Sequence, residues 1–433
     1  MFRARWYADQ DIVYYTVSRL APPRWVPSIS WVVGWLNLLG QVAGVASSEW
    51  GAAALLLAAV SIGSDFTYTP TNNQTVGVMA GLTIITGLVN SLSTKWMERM
   101  TKWYVVFHVL VIISCSIALL VKADKHDAKY VFTHLDNPPE SGWQPLGWSF
   151  LFGFLSVSWT MTDYDATAHI AEEIQEPEIK APWAISSAML FTYVVGWLFT
   201  VVLCFTMGDA SYATGILGSP IYQPVAQIFY NVLGKAGGIF FTVCAVVILK
   251  FVTFTAMQAL ARTVFAFSRD NLVPFSRVWV KILPLTGTPI LAVWASTFFC
   301  IALNLIGLGS YTAILGVFNV CAIALDWSYC KSSPIDVSLD AVAYEACIGV
   351  PIFCKLVFGR FKPGPWHMGK FGYFVNAWAC IWTLFVSVSN IEDWNCMSLR
   401  LTTPVQIVFI VPTVRPVTAL NVSIPEMTCQ HVH

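Results

Sequence analysis

Charged residues are scarce in this sequence. Asp, Glu, Lys and Arg together make up 11% of the 433 residues, whereas apolar residues make up 56%, with 19 Trp and 28 Phe among them. Soluble proteins usually carry about 25% charged residues. The composition therefore excludes an ordinary soluble protein. It predicts an all-α, polytopic membrane protein, because helices with internally paired backbones can cross lipid.

The sequence lacks the residue patterns that several function classes require. Lys plus Arg equals Asp plus Glu, at 24 each, so nothing in the charge favours nucleic acid or an acidic partner. The 11 Cys have no CxxC spacing and the seven His have no ligand spacing, which excludes a zinc or disulfide framework. No nucleophile constellation or Gly-rich phosphate loop lies in the apolar runs. We expect no metal, no cofactor and no enzymatic activity, and keep an intramembrane enzyme as the less favoured alternative.

The apolar runs predict about nine spans in a single domain over residues 1–433. A span needs about 20 apolar residues. The predicted spans are Ser28 to Ile62, Val76 to Leu92, Trp103 to Val121, a segment from Leu146, Ala184 to Met207, Ile239 to Leu260, Pro289 to Leu308, Tyr311 to Tyr329 and Phe371 to Val388. A short helical piece is expected near Gln223 to Leu233. Residues 1–27 have no apolar signal core and are expected to be a cytoplasmic lead-in.

Basic residues in short connections predict the topology, because such connections stay in the cytoplasm. Three basic connections fall on one side under strict alternation; they contain Lys95, Arg99 and Lys102, then Arg262, Arg269, Arg277 and Lys281, then Lys331, Lys355, Arg360, Lys362 and Lys370. A glycosylation acceptor pattern at Asn73 lies in a connection predicted to be a polar loop outside.

The segment from Leu146 is not an ordinary membrane helix. Leu146 to Val157 is apolar, but polar residues follow before the span is complete: Ser158, Thr160, Thr162, Asp163 and Asp165. Such side chains compete with the helix ladder for backbone hydrogen bonds. Broken helices of this kind hold substrate near the midplane of secondary transporters. The alternative is that the helix ends here, with Asp163 or Asp165 capping the next helix.

Two polar stretches, residues 331–350 and 389–406, do not fit the span pattern. The second places charged residues in the middle of what is otherwise one apolar helix. Both stretches, and an atypical tail at residues 422–433, can be encoded with donor-like splice sites. We interpret them as translated introns, with genuine loop insertion as the alternative.

Three motifs carry a resemblance to a known family. SWTMTDYDATAHIAEEIQEPEIKAP (158–182), RTVFAFSRDNLVPFSRVW (262–279) and PTVRPVT (412–418) occur in order. They resemble the fungal amino-acid, GABA and choline permeases of the amino acid-polyamine-organocation superfamily. The resemblance implies an inverted-repeat bundle of twelve helices, in which Ser28 to Ile62 is the third helix and the broken segment the sixth. The first, second and twelfth helices are then expected to be missing, and the chain as written is expected to be inactive.

The resemblance also implies site residues. Helix unwinding is expected near Ser158 to Tyr164, where free carbonyls and Asp165 would hold a substrate ammonium. Trp159 is expected to offer a π face to that cation, or else to be an ordinary packing aromatic. Glu172 and Glu173 are expected to form a cytoplasmic gate with Arg262 or Arg269, or else a solvated helix face.

Ionisable residues inside spans are expensive and usually functional. Glu49 and Lys250 are the candidates for gating or coupling, and Asp326 is expected to be interfacial. Asn90, Asn304 and Asn319 are expected to link helices by hydrogen bonds.

The sequence predicts secondary transport of amino acids or related small amines of the GABA, choline and polyamine class, coupled to protons. The partners expected are the substrate, protons and the lipid bilayer. The plasma membrane is favoured over the vacuole. The alternative is a truncated, transport-inactive permease product.

Overall fold

Helices account for the regular structure of this protein. The computed structural model describes residues 26–92, 94–134, 177–211, 215–269, 271–283 and 288–310, with a few single positions between 147 and 378. No β-strand occurs among these residues. Five of their helices are long and apolar enough to cross a membrane. The all-α membrane fold is confirmed, whereas the count of about nine spans stays a prediction.

Nine α-helices are numbered here in chain order. They are α1 (Val26–Gly63), α2 (Asn72–Asn90), α3 (Thr94–Lys122), α4 (Ala128–Thr133), α5 (Pro177–Thr206), α6 (Pro224–Arg269), α7 (Ser276–Trp279), α8 (Ile290–Asn304) and α9 (Ile306–Gly309), with a 3₁₀ turn at Ile216–Gly218. The spans predicted from Ser28, Trp103, Ala184, Ile239 and Pro289 correspond to α1, α3, α5, α6 and α8.

The polar residues of the first span do not interrupt α1. Gln41, Ser47, Ser48 and Glu49 all lie within its continuous helix and are buried. Gln41 Nε2 donates to Asn37 Oδ1 one turn earlier, at 2.8 Å. Because these side chains face neighbouring helices rather than lipid, the helix ladder stays intact.

Two connections predicted to be basic loops are helical. Arg99 and Lys102 belong to α3, which begins at Thr94, and Arg262 and Arg269 belong to α6. Residues 94–102 and 261–269 lack Gly and Pro and contain good helix formers, so nothing in them ends a helix. The sequence prediction began α3 too late, at Trp103, and ended α6 too early, at Leu260.

The connection that carries Asn73 is also shorter than predicted. Asn73 lies in the first turn of α2 and is exposed. Thr71 caps this helix: its hydroxyl accepts from the Gln74 backbone, while Gln74 Oε1 accepts from the Thr71 backbone at 2.9 Å. This reciprocal capping box fixes the helix start at Asn72, directly before Asn73. The prediction of a loop at Asn73 was wrong.

Helix α6 changes direction near its start. Gly234 lies within α6 but has non-helical backbone angles, with φ 72° and ψ −175°. This is a backbone conformation that glycine adopts readily and other residues avoid. The short helical piece predicted near Gln223 to Leu233 is therefore confirmed, and Lys235 opens the long part of α6 that follows.

Two larger apolar clusters join the described helices, and a smaller one packs the end of α1 against the start of α6. The inner cluster joins α1, α2, α6 and α8 around Trp50, Met79, Met257 and Phe267. The outer cluster joins α3 and α5 to the first part of α6, around Leu119, Leu203 and Phe229. Helix α1 makes its most extensive contact with α6. The inner group of four helices therefore encloses the polar residues of α1.

Candidate functional site

Two charged side chains meet inside the inner group of helices. Glu49 lies midway along α1 and its side chain is fully buried, while the side chain of Lys250 on α6 is 12% exposed. Lys250 Nζ lies 2.7 Å from both carboxylate oxygens of Glu49. The two residues are 201 positions apart in the sequence. The structure thus brings together the two ionisable residues that the sequence singled out separately.

Helix α2 completes this arrangement. The Thr86 hydroxyl donates to Glu49 Oε1 at 2.5 Å and accepts from Lys250 Nζ at 2.6 Å. Lys250 Nζ also donates to the Leu82 carbonyl oxygen at 3.1 Å. Glu49, Thr86, Lys250 and the Leu82 carbonyl are called the Glu49 cluster below. The cluster links three helices through four polar groups.

The hydrogen bonding of Lys250 is complete. An ammonium group has three N–H donors, and its partners here are the carboxylate, the Thr86 hydroxyl and the Leu82 carbonyl. The Phe254 ring, one turn further along α6, has its centroid 5.3 Å from Nζ. A buried ion pair persists only with good geometry and satisfied remaining donors. The cluster meets both conditions, and its net charge is zero.

A second polar contact joins α8 to α1. Asn304 at the end of α8 is fully buried, and its Nδ2 donates to the Ala46 carbonyl at 3.0 Å. Cys300 Sγ lies 3.7 Å from the Val42 carbonyl. The expected interhelical role of Asn304 is thus confirmed. Asn90 instead donates to the Thr86 carbonyl of its own helix.

Sequence comparison decides the family. The profile of the amino acid permease family matches residues 13–422, which is nearly the whole chain. This chain belongs to the amino acid permease family. The permease is a multi-pass membrane protein, as its apolar helices also indicate.

Named relatives of the permease come from fungi and plants. It is 52% identical to an uncharacterized amino-acid permease of Schizosaccharomyces pombe, over 96% of this chain and 70% of the relative. It is 46% identical to Amino-acid permease 2 of Neurospora crassa, over 88% of this chain and 66% of the relative. It is 29% identical to Amino-acid permease BAT1 of Arabidopsis thaliana, over 88% of this chain and 72% of the relative. The chain thus spans about two thirds of the length of these relatives.

The predicted substrate residues of the permease lie outside the residues that the structure describes. These are Ser158, Trp159, Thr160, Thr162, Asp163 and Asp165. The same holds for Glu172, Glu173, Asp326 and Asn319, for residues 331–350 and 389–406, and for the tail. Their roles stay predictions.

The two arginines of the predicted gate lie at one end of the inner helices. Arg262 lines a small recess together with Asn90, Gln258 and Thr288, which encloses about 320 Å³ including the space at its mouth. Arg269 is half-buried in the last turn of α6, and its Nη2 has no hydrogen-bond partner within the described part of the chain. Leu92 and Met97 also line the recess. The α2 to α3 connection therefore lies at the same end of the bundle as these two arginines.

The sequence reasoning did not find Thr86. A threonine in a membrane helix is common and usually bonds to its own backbone, as Thr83 does through its 2.8 Å bond to the Met79 carbonyl. Only the α1 and α6 partners distinguish Thr86 from Thr83. The feature visible in the sequence is that Leu82 and Thr86 are one helical turn apart. Many helices have residues at this spacing, so it does not single out Thr86.

Proposed function

We propose that this permease carries amino acids or related small amines across the membrane by proton-coupled secondary transport. The observation that supports it best is the Glu49 cluster, a buried ion pair inside a helix bundle of the amino acid permease family. Ionisable groups at membrane depth usually mark substrate or proton pathways. Glu49 and Lys250 are proposed as the coupling pair.

The substrate site is proposed in the stretch from Ser158 to Asp165. Its motif and its polar residues inside an apolar run support this placement. Asp165 would hold the substrate ammonium, and Trp159 would lie against it as a π face. The class of substrates proposed includes GABA, choline and polyamines beside amino acids. The plasma membrane is the proposed location.

The gate is proposed between Glu172 or Glu173 and Arg262 or Arg269. The buried Nη2 of Arg269 supports an acidic partner, because a buried donor without an acceptor is destabilising. Arg262 lies about two turns earlier on the same helix, at the recess. A gate of this kind would open when the carboxylate and guanidinium separate.

Uptake of a panel of labelled amino acids and amines tests the proposal. The chain as written is compared with a version lacking residues 331–350 and 389–406, in cells without endogenous uptake. Asp165→Asn and Trp159→Ala should each lower apparent affinity at least tenfold, since breaking a buried charged contact costs about 2 to 5 kcal/mol. Trp183→Ala is the control, because Trp183 is exposed on α5. Absence of uptake by both versions would favour a transport-inactive product, and unchanged transport by both mutants would overturn the proposed site.

A further inference from the structure

The Thr86 hydroxyl has two acceptors within reach. Its oxygen lies 2.5 Å from Glu49 Oε1 and 3.2 Å from the Leu82 carbonyl of its own helix. A hydroxyl has one hydrogen and two lone pairs. It can therefore donate to only one of these oxygens at a time, while one lone pair accepts from Lys250 at 2.6 Å.

From these contacts we infer that Thr86 is a hydrogen-bond switch that keeps Glu49 paired in both of its protonation states. This inference rests on the proposed proton coupling. With Glu49 ionised, Thr86 donates to the carboxylate. When a proton from solvent binds Glu49, the Thr86 hydrogen turns to the Leu82 carbonyl. The second lone pair of the Thr86 oxygen then points to Glu49 and accepts from the new carboxyl O–H.

Proton binding changes the helix contacts unequally. Lys250 keeps the Thr86 oxygen and the Leu82 carbonyl, both on α2, but its ion pair with α1 becomes a hydrogen bond to the carbonyl oxygen of a neutral carboxyl group. The proton balance is one proton gained by Glu49 and none lost by Lys250 or Thr86, so the cluster changes from neutral to a charge of +1. An uncompensated charge is unfavourable in a low-dielectric interior. The proton therefore weakens the contact between α1 and α6, while Thr86 keeps α1 joined to α2 and Lys250 keeps α6 joined to α2.

The surroundings of Glu49 support this assignment. Lys250 faces it from α6, and the Cys300 thiol on α8 is near enough to interact with it electrostatically. Helix α2 presents Thr86, which is neutral. Among the described residues, Lys250 is thus the cation packed against Glu49, and Thr86 is the uncharged group that contacts both partners.

Labelling with a hydrophobic carbodiimide tests the switch without transport, because this reagent modifies protonated carboxyl groups in apolar surroundings. The purified chain is labelled across a pH series and the Glu49 adduct is measured by mass spectrometry, with Glu49→Gln as the blank. Thr86→Val removes the hydroxyl at nearly constant volume. Labelling at neutral pH should rise about tenfold in this variant, because the ionised carboxylate loses a hydrogen-bond donor and tenfold corresponds to about 1.4 kcal/mol, the size of one such bond.

Two variants serve as controls. Thr86→Ser keeps the hydroxyl and should restore labelling close to that of the parent. Thr83→Val removes a buried hydroxyl one turn away that bonds only within α2, and should label like the parent. If Thr86→Val does not fold, Thr86→Ala replaces it. Equal labelling of Thr86→Val and Thr83→Val, or labelling that does not depend on pH, would overturn the inference.

The pH profile of uptake gives a second readout. In whichever version of the chain transports, Thr86→Val should change the pH dependence of uptake and Thr83→Val should not. If the parent takes up none of the panel, the proposed function fails and the labelling result alone decides the role of Thr86. If uptake is normal but Glu49 labelling ignores Thr86, the switch fails and the proposed function stands.

Discussion

In soluble proteins, the more apolar surface is the buried one. The inner helix α1 and the outer helix α3 show the opposite relation. Of the most apolar 18 residues of each span, 78% are buried inside the protein in α1 but only 11% in α3, although this part of α3 is the more apolar of the two. In lipid, an apolar surface gains little from burial against another helix. The helix with polar and small residues is therefore the one that lies inside.

Small residues explain how closely the inner helices approach. A Cβ added at Gly40 of α1 would lie 2.7 Å from Leu325 Cγ, and one at Gly34 would lie 2.6 Å from Phe267 Cζ. A Cβ added at Gly196 of α5 would meet nothing within 4 Å. The inner group is thus held by close backbone packing and the Glu49 cluster, whereas α5 faces open space at Gly196.

The largest effect should come from breaking the buried ion pair on one side. Lys250→Met leaves the Glu49 carboxylate buried without a cation and should destabilise the permease by about 3 to 5 kcal/mol. Glu49→Gln should cost less, because Lys250 keeps the Thr86 and Leu82 oxygens. The double variant should recover most of the loss. Thermal unfolding in detergent measures all three, and a double variant worse than Lys250→Met would contradict the comparison.

Two leucines of α3 test whether lipid can replace protein packing. Leu119 is fully buried and Leu110 is 61% exposed on the same helix. Leu119→Ala should cost about 3 kcal/mol by leaving a cavity, whereas lipid or detergent can fill the space left by Leu110→Ala. Denaturant unfolding should therefore separate the two variants clearly. Equal losses would mean that the outer face of α3 is covered by protein.

A single added methyl group sharpens the packing comparison. Gly40→Ala should destabilise by about 1 to 3 kcal/mol, since Leu325 and its backbone must move. Gly196→Ala should be neutral or stabilise by up to about 1 kcal/mol, because alanine is the better helix former. Melting temperatures of the two purified variants are the measurement, and opposite signs are expected.

The smallest effect should come from breaking the ion pair between Lys235 and Asp65. Its two charges are as close as those of Lys250 and Glu49, but it is exposed to solvent. Lys235 Nζ lies 2.7 Å from Asp65 Oδ2, but the side chains are 44% and 69% exposed. Asp65→Asn should cost under about 1 kcal/mol, because water and salt screen exposed charges. Repeating the unfolding in high salt should reduce even this difference. A loss as large as that of Lys250→Met would show that exposure does not distinguish the two pairs.

The sequence predicted the positions of the spans well. It predicted poorly where the helices end and which side chains face another helix. Apolar runs located α1, α3, α5, α6 and α8 because hydrophobic length is a local property. The start of α3 was placed too late, after Arg99, and the end of α6 too early, before Arg262, since a charged residue can continue a helix beyond the apolar core. The sequence does not reveal that the polar residues of α1 face other helices rather than lipid.

The candidate site was predicted as separate residues and not as a cluster. Glu49 and Lys250 were recognisable because charge inside a span is expensive. Their pairing depends on the packing of α1 against α6, which no local pattern encodes. Thr86 carries no charge, so its place between them could be found only from the structure.

Proton movement during transport tests the central claim most directly. In weakly buffered medium, adding a transported substrate to cells that express the permease should make the medium more alkaline as protons enter with it. Glu49→Gln should abolish this pH change, while substrate-induced thermal stabilisation of the purified variant persists. Substrate uptake by Glu49→Gln accompanied by the parent's proton movement would contradict the assignment of Glu49 as the coupling carboxylate.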